Sequence, residues 1–304
     1  MADAAKLIAY RTWQDRAFNI VGAACTCLGV IALAALLVKL LMDGGPHLLS
    51  SKFFTSYPSE LFPAKAGILT AIVGTLTVIV VTFFAAVPLG VATAVYLEEY
   101  ARKNWVTDLV ELNISNLAGV PSITYGLLAY WFFCYLLGLK PVVLVGGLTL
   151  AILILPVIIV TTREALRTIP VSIREAAYAA GATKWQVIRY HLVPYSLGGI
   201  LTGTIIALSR AIGETAPIIA IGGGGFGSNL PPSPLSGDFP FLSFQWLWSP
   251  FTVLPMQMFL WTDSPNFILQ QKAAAIGLVL IVLTLSLNAV AIVIRYRIRK
   301  RIKW

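Results

Sequence analysis

An all-α bundle of six membrane-spanning helices, with a helical loop on its cytoplasmic side, is the fold class this chain predicts. Three observations carry that reading. Of 304 residues, 58% are hydrophobic and only 12% charged, against about 25% charged in soluble domains. The apolar residues come in blocks comparable to the ~20 residues a spanning helix requires. Basic residues crowd the connections on one side of the implied membrane and nearly desert the other.

The predicted spans are 18–41, 67–97, 121–139, 142–162, 195–224 and 273–294. Six crossings put both termini on the same side. The first is a retained span rather than a cleavable signal, because its apolar run exceeds the 7–15 residues of a signal core and no small-residue cleavage site follows. The second is longer than a bilayer needs, so tilt or a kink at Pro88 is expected. A polar break at 116–122 precedes the third, with Pro121 as its first helical residue. The resulting organisation is an N-terminal segment 1–17, a transmembrane domain 18–294 containing a cytoplasmic loop 163–194 and an outer loop 225–271, and a basic tail 295–304.

Orientation follows from the cations. Lys6, Arg11, Arg16, Arg102, Lys103, Arg163, Arg167, Arg174, Lys184, Arg189 and the tail from Arg295 to Lys303 share one side. Only Lys52, Lys65 and Lys140 fall clearly on the other, with Lys39 and Lys272 near span ends. The crowded side is cytoplasmic by the positive-inside rule. The net charge of +9 is thereby explained without nucleic acid as a partner. Cys25, Cys27 and Cys134 suggest neither a disulfide framework nor a metal site, and His47 and His191 fall on opposite sides of the membrane. The glycine run at 222–227 lacks the Lys of a phosphate-binding loop, so the chain is expected to bind no nucleotide. It offers no credible nucleophile and base, and is expected not to be an enzyme.

Residues 172–194, SIREAAYAAGATKWQVIRYHLVP, form an organised polar segment between apolar runs. Ser172 with Glu175, and Thr183 with Gln186, each match a capping box. Pro170 ends the preceding run and Gly181 can close a helix in the left-handed conformation. Helix, turn, helix is the expectation. Ala176, Ala177, Ala179 and Ala180 leave the first helix open to close approach. On these residues alone two readings stand: a docking surface for another protein, or a helix pair lying in the headgroups on Ile173, Tyr178, Trp185 and Ile188.

The second informative stretch is SRAIGETAP, 209–217, within the fifth span. Arg210 and Glu214 are four residues apart on one helix face, near the predicted mid-span, where an ionised group costs about 2.5–3.5 kcal/mol. They are expected to face protein or a water-filled path rather than lipid. Either they form a structural ion pair, or Arg210 is a transient anion contact that Glu214 positions, with Ser209 and Thr215 supplying hydroxyls. The aromatic outer loop, with Trp246, Trp248, Phe251 and Trp261, is expected to rest on the outer leaflet, with one re-entrant piece around Pro255; a lid over the path is the sharper alternative.

Glu175-Ala176-Ala177, with Gly181 and Pro194 following, resembles the EAA loop of ABC importer membrane subunits, although His191 and Val193 replace the usual Ile and Leu. RAIGETAP after the loop, NLAGVPS at 116–122 and REALRTIP before the loop resemble the A-type (PstA) permease family of phosphate ABC importers, over most of the chain from about residue 70. The resemblance implies a bacterial inner-membrane subunit importing inorganic phosphate, paired with a homologous second permease as a heterodimer. It also implies a separate ATPase dimer holding ATP-Mg, docked on Glu175, Ala176, Ala177 and Gly181, and an extracytoplasmic phosphate-binding protein. A permease for sulfate, molybdate or phosphonate, and a membrane sensor or scaffold that moves nothing, remain as alternatives.

Overall fold

The computed structural model describes residues 2–223, 230–233 and 243–301, with side chains described from Tyr10 to Arg297. Most of the glycine run, Pro234, the Lys6 side chain and the last cations of the tail lie outside these limits.

Among the described residues the chain is helical and contains no strand. The long helices are α1 (Ala2–Leu48), α3 (Leu69–Val95), α6 (Val143–Arg167), α9 (Val193–Gly213) and α12 (Phe267–Arg301). Shorter ones connect them: α2 (Ser51–Thr55), α4 (Trp105–Leu117), α5 (Ser122–Ala129), α7 (Val171–Ala179), α8 (Lys184–Val187), α10 (Ala216–Ala220) and α11 (Leu254–Thr262). Five helical runs are long and apolar enough to cross a membrane: Tyr10–Leu48, Leu69–Tyr100, Val143–Arg167, Lys184–Gly213 and Phe267–Arg297.

The sixth crossing is not the single helix expected at 121–139. It is the pair Trp105–Leu117 and Ser122–Leu136, bent by 108°. The second limb alone rises only about 22 Å at 1.5 Å per residue, short of the ~30 Å hydrocarbon layer. Pro121, expected as its first helical residue, stands instead at its N-cap, one position before the helix begins, and lacks the N–H that would have joined the limbs. The fifth span, Lys184–Gly213, begins and ends earlier than the expected 195–224. It stops at Gly213, Glu214 is extended (φ −82°, ψ 117°), and helix resumes at Ala216 with Pro217 in its first turn. Proline cannot donate back across that gap, so the helix divides there.

α6 is the most buried of the spanning helices and packs between α3 and α9. Val78, Val81, Ile154, Ile158, Ala207 and Ala211 form the seam. Lipid chains are as apolar as these side chains, so helix association depends on close fit. Gly147 lies directly against Val81, and Gly203 against Thr161, where any Cβ would collide. Thr82 on α3 donates to the Gly147 carbonyl on α6 at 3.1 Å. α1 is peripheral and mostly exposed; its contact with α12 is closest where Gly44 meets Ala275.

The loop after α10 does not rest on the leaflet throughout. From Phe251 onward it is wedged into the bundle: Phe251, Val253 and Leu254 are buried and Trp261 is 0% exposed. α11 begins at Leu254, around the Pro255 where a re-entrant piece was expected, and packs on α12 and α3. The Leu254 N–H donates to Thr75 Oγ1 at 2.9 Å. An aromatic segment that fills a groove between helices and one that lies in an interface have the same composition, which is why hydropathy did not separate them.

Substituting Gly147 by Val should lower stability by about 1–3 kcal/mol through overpacking against Val81. Gly198→Ala, with nothing near its added methyl, should be neutral or slightly stabilising. Unfolding midpoints of the detergent-solubilised variants check this pair, and equal loss from both would contradict the packing account.

Candidate functional site

The loop between α6 and α9 is built locally. α7 starts one residue after Pro170, which occupies the N-cap without any side-chain cap bond. Ser172 is therefore inside the first turn and the expected Ser172–Glu175 capping box does not form, because proline takes the cap position two residues earlier. The second box does form. Thr183 N–H donates to Gln186 Oε1 at 2.7 Å, and Gln186 N–H donates to Thr183 Oγ1 at 3.4 Å. Between them Gly181 adopts φ +81°, the left-handed closure expected of it. Its N–H donates to the Tyr178 carbonyl at 2.9 Å, and that of Ala182 to the Ala177 carbonyl at 3.1 Å.

Of the four residues expected to meet a partner, Glu175, Ala176 and Gly181 are exposed. Ala177 instead faces inward and joins Leu166, Ile169, Val187, Ile188 and Leu192 in a small core beneath the loop. Among the described residues Glu175 has no hydrogen-bond or ion-pair partner.

What fastens the loop to the bundle was not evident from sequence. Beyond α3 a π-helical turn, Tyr96–Tyr100, presents Glu98 and Glu99. Arg163, its side chain 8% exposed, contacts Glu98 at 3.4 Å and Glu111 of α4 at 2.5 Å. Arg167 adds Glu98 at 3.0 Å and Glu111 at 3.9 Å. Arg174 of α7 donates to Glu99 at 3.0 Å and to the carbonyls of Ile169 (3.0 Å) and Leu166 (3.2 Å) around the end of α6. The Lys184 ammonium sits 4.8 Å from the Tyr100 ring centroid. A cavity of about 770 Å³ opens beside this cluster, lined by Glu98, Asp108, Glu111, Arg163 and Arg167 among others. The usable signal was Glu98-Glu99 at the end of an apolar run, whose charges needed partners.

The second candidate site lies where α9 stops. Arg210 Nε and Glu214 Oε1 are 3.2 Å apart, with side chains 40% and 20% exposed. The pair exists, but it brackets a helix end instead of lying within a continuous helix, and it is not the most enclosed ionic contact in the chain. Ser209 turns away from it, donating to Asn288 Oδ1 of α12 at 2.6 Å. Thr215 takes the N-cap position of α10 without a cap bond. Glu214 borders a cavity of about 10 Å³, with Thr75, Leu150, Ala211 and Ile218 around it. Among the described residues no group of His, Cys, Asp and Glu is placed to hold a metal ion.

The family model described as binding-protein-dependent transport system inner membrane component matches residues 86–304. The phosphate transport system permease protein PstA of Yersinia pestis is 32% identical over 282 residues, covering 90% of this chain and 86% of that protein. The phosphate transport system permease protein PstC of Haemophilus influenzae is 30% identical over 255 residues, covering 74% of this chain and 79% of that protein. An inward-facing structure of the MetNI methionine ABC transporter superposes with a TM-score of 0.58 at 17% identity, covering 79% of this chain and 99% of that chain. That likeness concerns the fold.

Arg163→Gln should destabilise the protein by roughly 3 kcal/mol, because it removes the most enclosed guanidinium and leaves Glu98 and Glu111 with only the half-exposed Arg167. Arg167→Gln, at 45% exposure, should cost about 0–1 kcal/mol. Chemical unfolding in detergent, with Glu98→Gln closing a double-mutant cycle, measures the difference; equal costs would refute the ranking.

Proposed function

Since the chain belongs to the family of binding-protein-dependent transport system inner membrane components, we propose that it is the membrane-spanning permease subunit of an ATP-driven phosphate importer. It is an ABC transporter permease, a multi-pass inner-membrane protein, and not itself an enzyme. The observation that carries the phosphate assignment is the 32% identity to a PstA permease across 90% of the chain.

In this reading both termini are cytoplasmic, as the basic residues require, and the α7–α8 loop seats in a separate ATPase dimer that binds the ATP-Mg. The exposed, unpartnered Glu175 and the alanine face beside it form the seat, and Gly181 makes the turn. ATP binding closes the ATPases and moves the loop. The Arg163 and Arg174 contacts carry that motion into α3 and α6, and α9 carries it directly to Arg210.

Arg210 is 40% exposed on the isolated chain, and an arginine left against lipid at that depth would cost about 2.5–3.5 kcal/mol. A homologous second permease therefore covers that face, and the solute path runs along the shared surface. The Arg210 guanidinium offers forked donors to phosphate oxygens, and Glu214 holds the fork while weakening its grip. Thr215 borders the same break; Ser209, bound to Asn288, supports α9 from behind. An external binding protein delivers the anion.

Reconstitution with the ATPase, second permease and binding protein tests this. ATP-dependent phosphate uptake should resist competition by sulfate, molybdate and phosphonate; preferential uptake of one of those would reassign the solute. Uptake of none would favour a sensor or scaffold. Arg210→Glu should abolish uptake in a correctly inserted complex, and full transport would exclude its role in the path. Gly181→Val should leave ATP hydrolysis running while uptake falls at least about tenfold, since φ +81° strains a β-branched residue. Unchanged coupling would count against the docking turn.

A further inference from the structure

At the end of the bundle opposite the α7–α8 loop, a cavity of about 360 Å³ is lined by His47, Ser50, Lys52, Ser56, Lys65 and Lys272, together with Phe53 and short backbone stretches. Few cations lie on this side of the molecule, and three lysines and a histidine from α1, α2, the 63–65 turn and α12 converge on one concavity. No carboxylate lines it. Neither Lys52, Lys65 nor Lys272 has a carboxylate within ion-pair distance among the described residues.

The four groups are not equivalent. Lys272 is buried at 4%, and its ammonium donates to the carbonyls of Pro63 (2.7 Å), Ala64 (3.1 Å) and Ala66 (2.6 Å), so it builds the floor and fixes the 63–65 turn. Lys52 and Lys65 are exposed at the rim, and among the described residues the hydroxyls of Ser50 and Ser56 have no hydrogen-bond partner. The site thus has a fixed cationic base, two exposed ammonium groups and two hydroxyls. A tetrahedral oxyanion suits it: Lys52, Lys65 and the hydroxyls donate to its oxygens, while Lys272, its three donors held by carbonyls, adds charge alone.

We propose that this basin binds a phosphate group. Two sources share that chemistry, a free inorganic phosphate and the headgroup of an anionic phospholipid. The surroundings suit the second: Leu49, Leu61 and Phe62 beside the basin are strongly exposed apolar side chains, as at the boundary between acyl chains and headgroups. The basin lies at a membrane surface whichever way the chain is inserted, so the inference is independent of the transported solute.

The test uses the full chain in nanodiscs, as wild type, Lys52→Gln/Lys65→Gln, and Lys140→Gln, which removes one outer cation away from the basin. Lys272 is left intact because it is structural. Spin-labelled phosphatidylglycerol in phosphatidylcholine discs reports the lipid source; titration of inorganic phosphate, followed by ³¹P line broadening in phosphatidylcholine discs, reports the free anion. Preferential association with one probe, weakened about tenfold in the double variant and unchanged in Lys140→Gln, is the expected result, and the responding probe names the source. Equal association of both probes with wild type and the double variant would overturn the proposal. Phosphate binding at Arg210 would survive the double substitution and so be told apart.

Discussion

Glu98 and Glu111 held between the guanidinium groups of Arg163 and Arg167, with Glu99 on Arg174, is the contact set on which the rest of the molecule's mechanics depends. The α7–α8 loop has a core of only six buried side chains, too few to resist being pulled away from the membrane by itself. The carboxylates come from the end of α3 and from α4, the arginines from α6 and α7, so four elements meet in one cluster. Glu98, Glu99 and Glu111 balance the three arginines, with the exposed Glu164, 3.5 Å from Arg167, as a fourth acid at the edge. A partly desolvated cluster of this kind is costly to break once one partner is removed, which makes it a rigid joint. The positive-inside count is untouched by this balance, because insertion responds to Lys and Arg and only weakly to the acids.

The sequence and the structure agree where the decisive chemistry is local. Thr183 and its partner Gln186 are three residues apart, and Gly181 needs only its own backbone freedom, so the turn and second loop helix were legible. Ser172 failed as a cap for an equally local reason: Pro170, two residues earlier, already occupied that role. The joint was invisible because its partners come from elements far apart in sequence, those of Glu98 and Glu99 by 65 to 75 residues. No periodicity links Glu98 to Arg163. Hydropathy likewise located the apolar blocks and the polar break before Pro121, but it missed the helical limb Trp105–Leu117 ahead of that break and averaged across the break at Glu214, where the N–H that Pro217 lacks divides a helix. The Phe251–Trp261 segment was ambiguous because burial against protein and burial in an interface select the same aromatic residues.

The break at Glu214 has an electrostatic logic of its own. The end of α9 leaves carbonyls unpaired, so its field favours a cation in the last turn and disfavours an anion just beyond. Arg210 satisfies the first condition. Glu214, at the cap, violates the second unless Arg210 neutralises it, and the 3.2 Å contact does so. The pair is therefore a consequence of ending the helix at that point as much as a cause of it. The two sequence readings are thereby compatible: a structural ion pair and the proposed anion contact would use the same guanidinium, so an arriving anion would compete with Glu214 for it.

Connectivity then explains why the joint and the break belong to one device. α9 leads out of the loop through a π-helical turn at Ile188–Leu192 and ends at Arg210 to Gly213, about 30 Å away. A π-helical turn is a local irregularity at which a helix can change direction, while the remainder of α9 is locked to α6 by the Gly203–Thr161 approach. Beyond Glu214, α10 packs on α5 instead of following α9, with Gly126 against Pro217. In the proposed mechanism, motion imposed at the loop therefore reaches Arg210 along α9 and stops at the break. The groups on the two sides of Glu214 then move relative to each other. A continuous helix from residue 195 to 224 would have carried both sides together and left the ion pair unchanged.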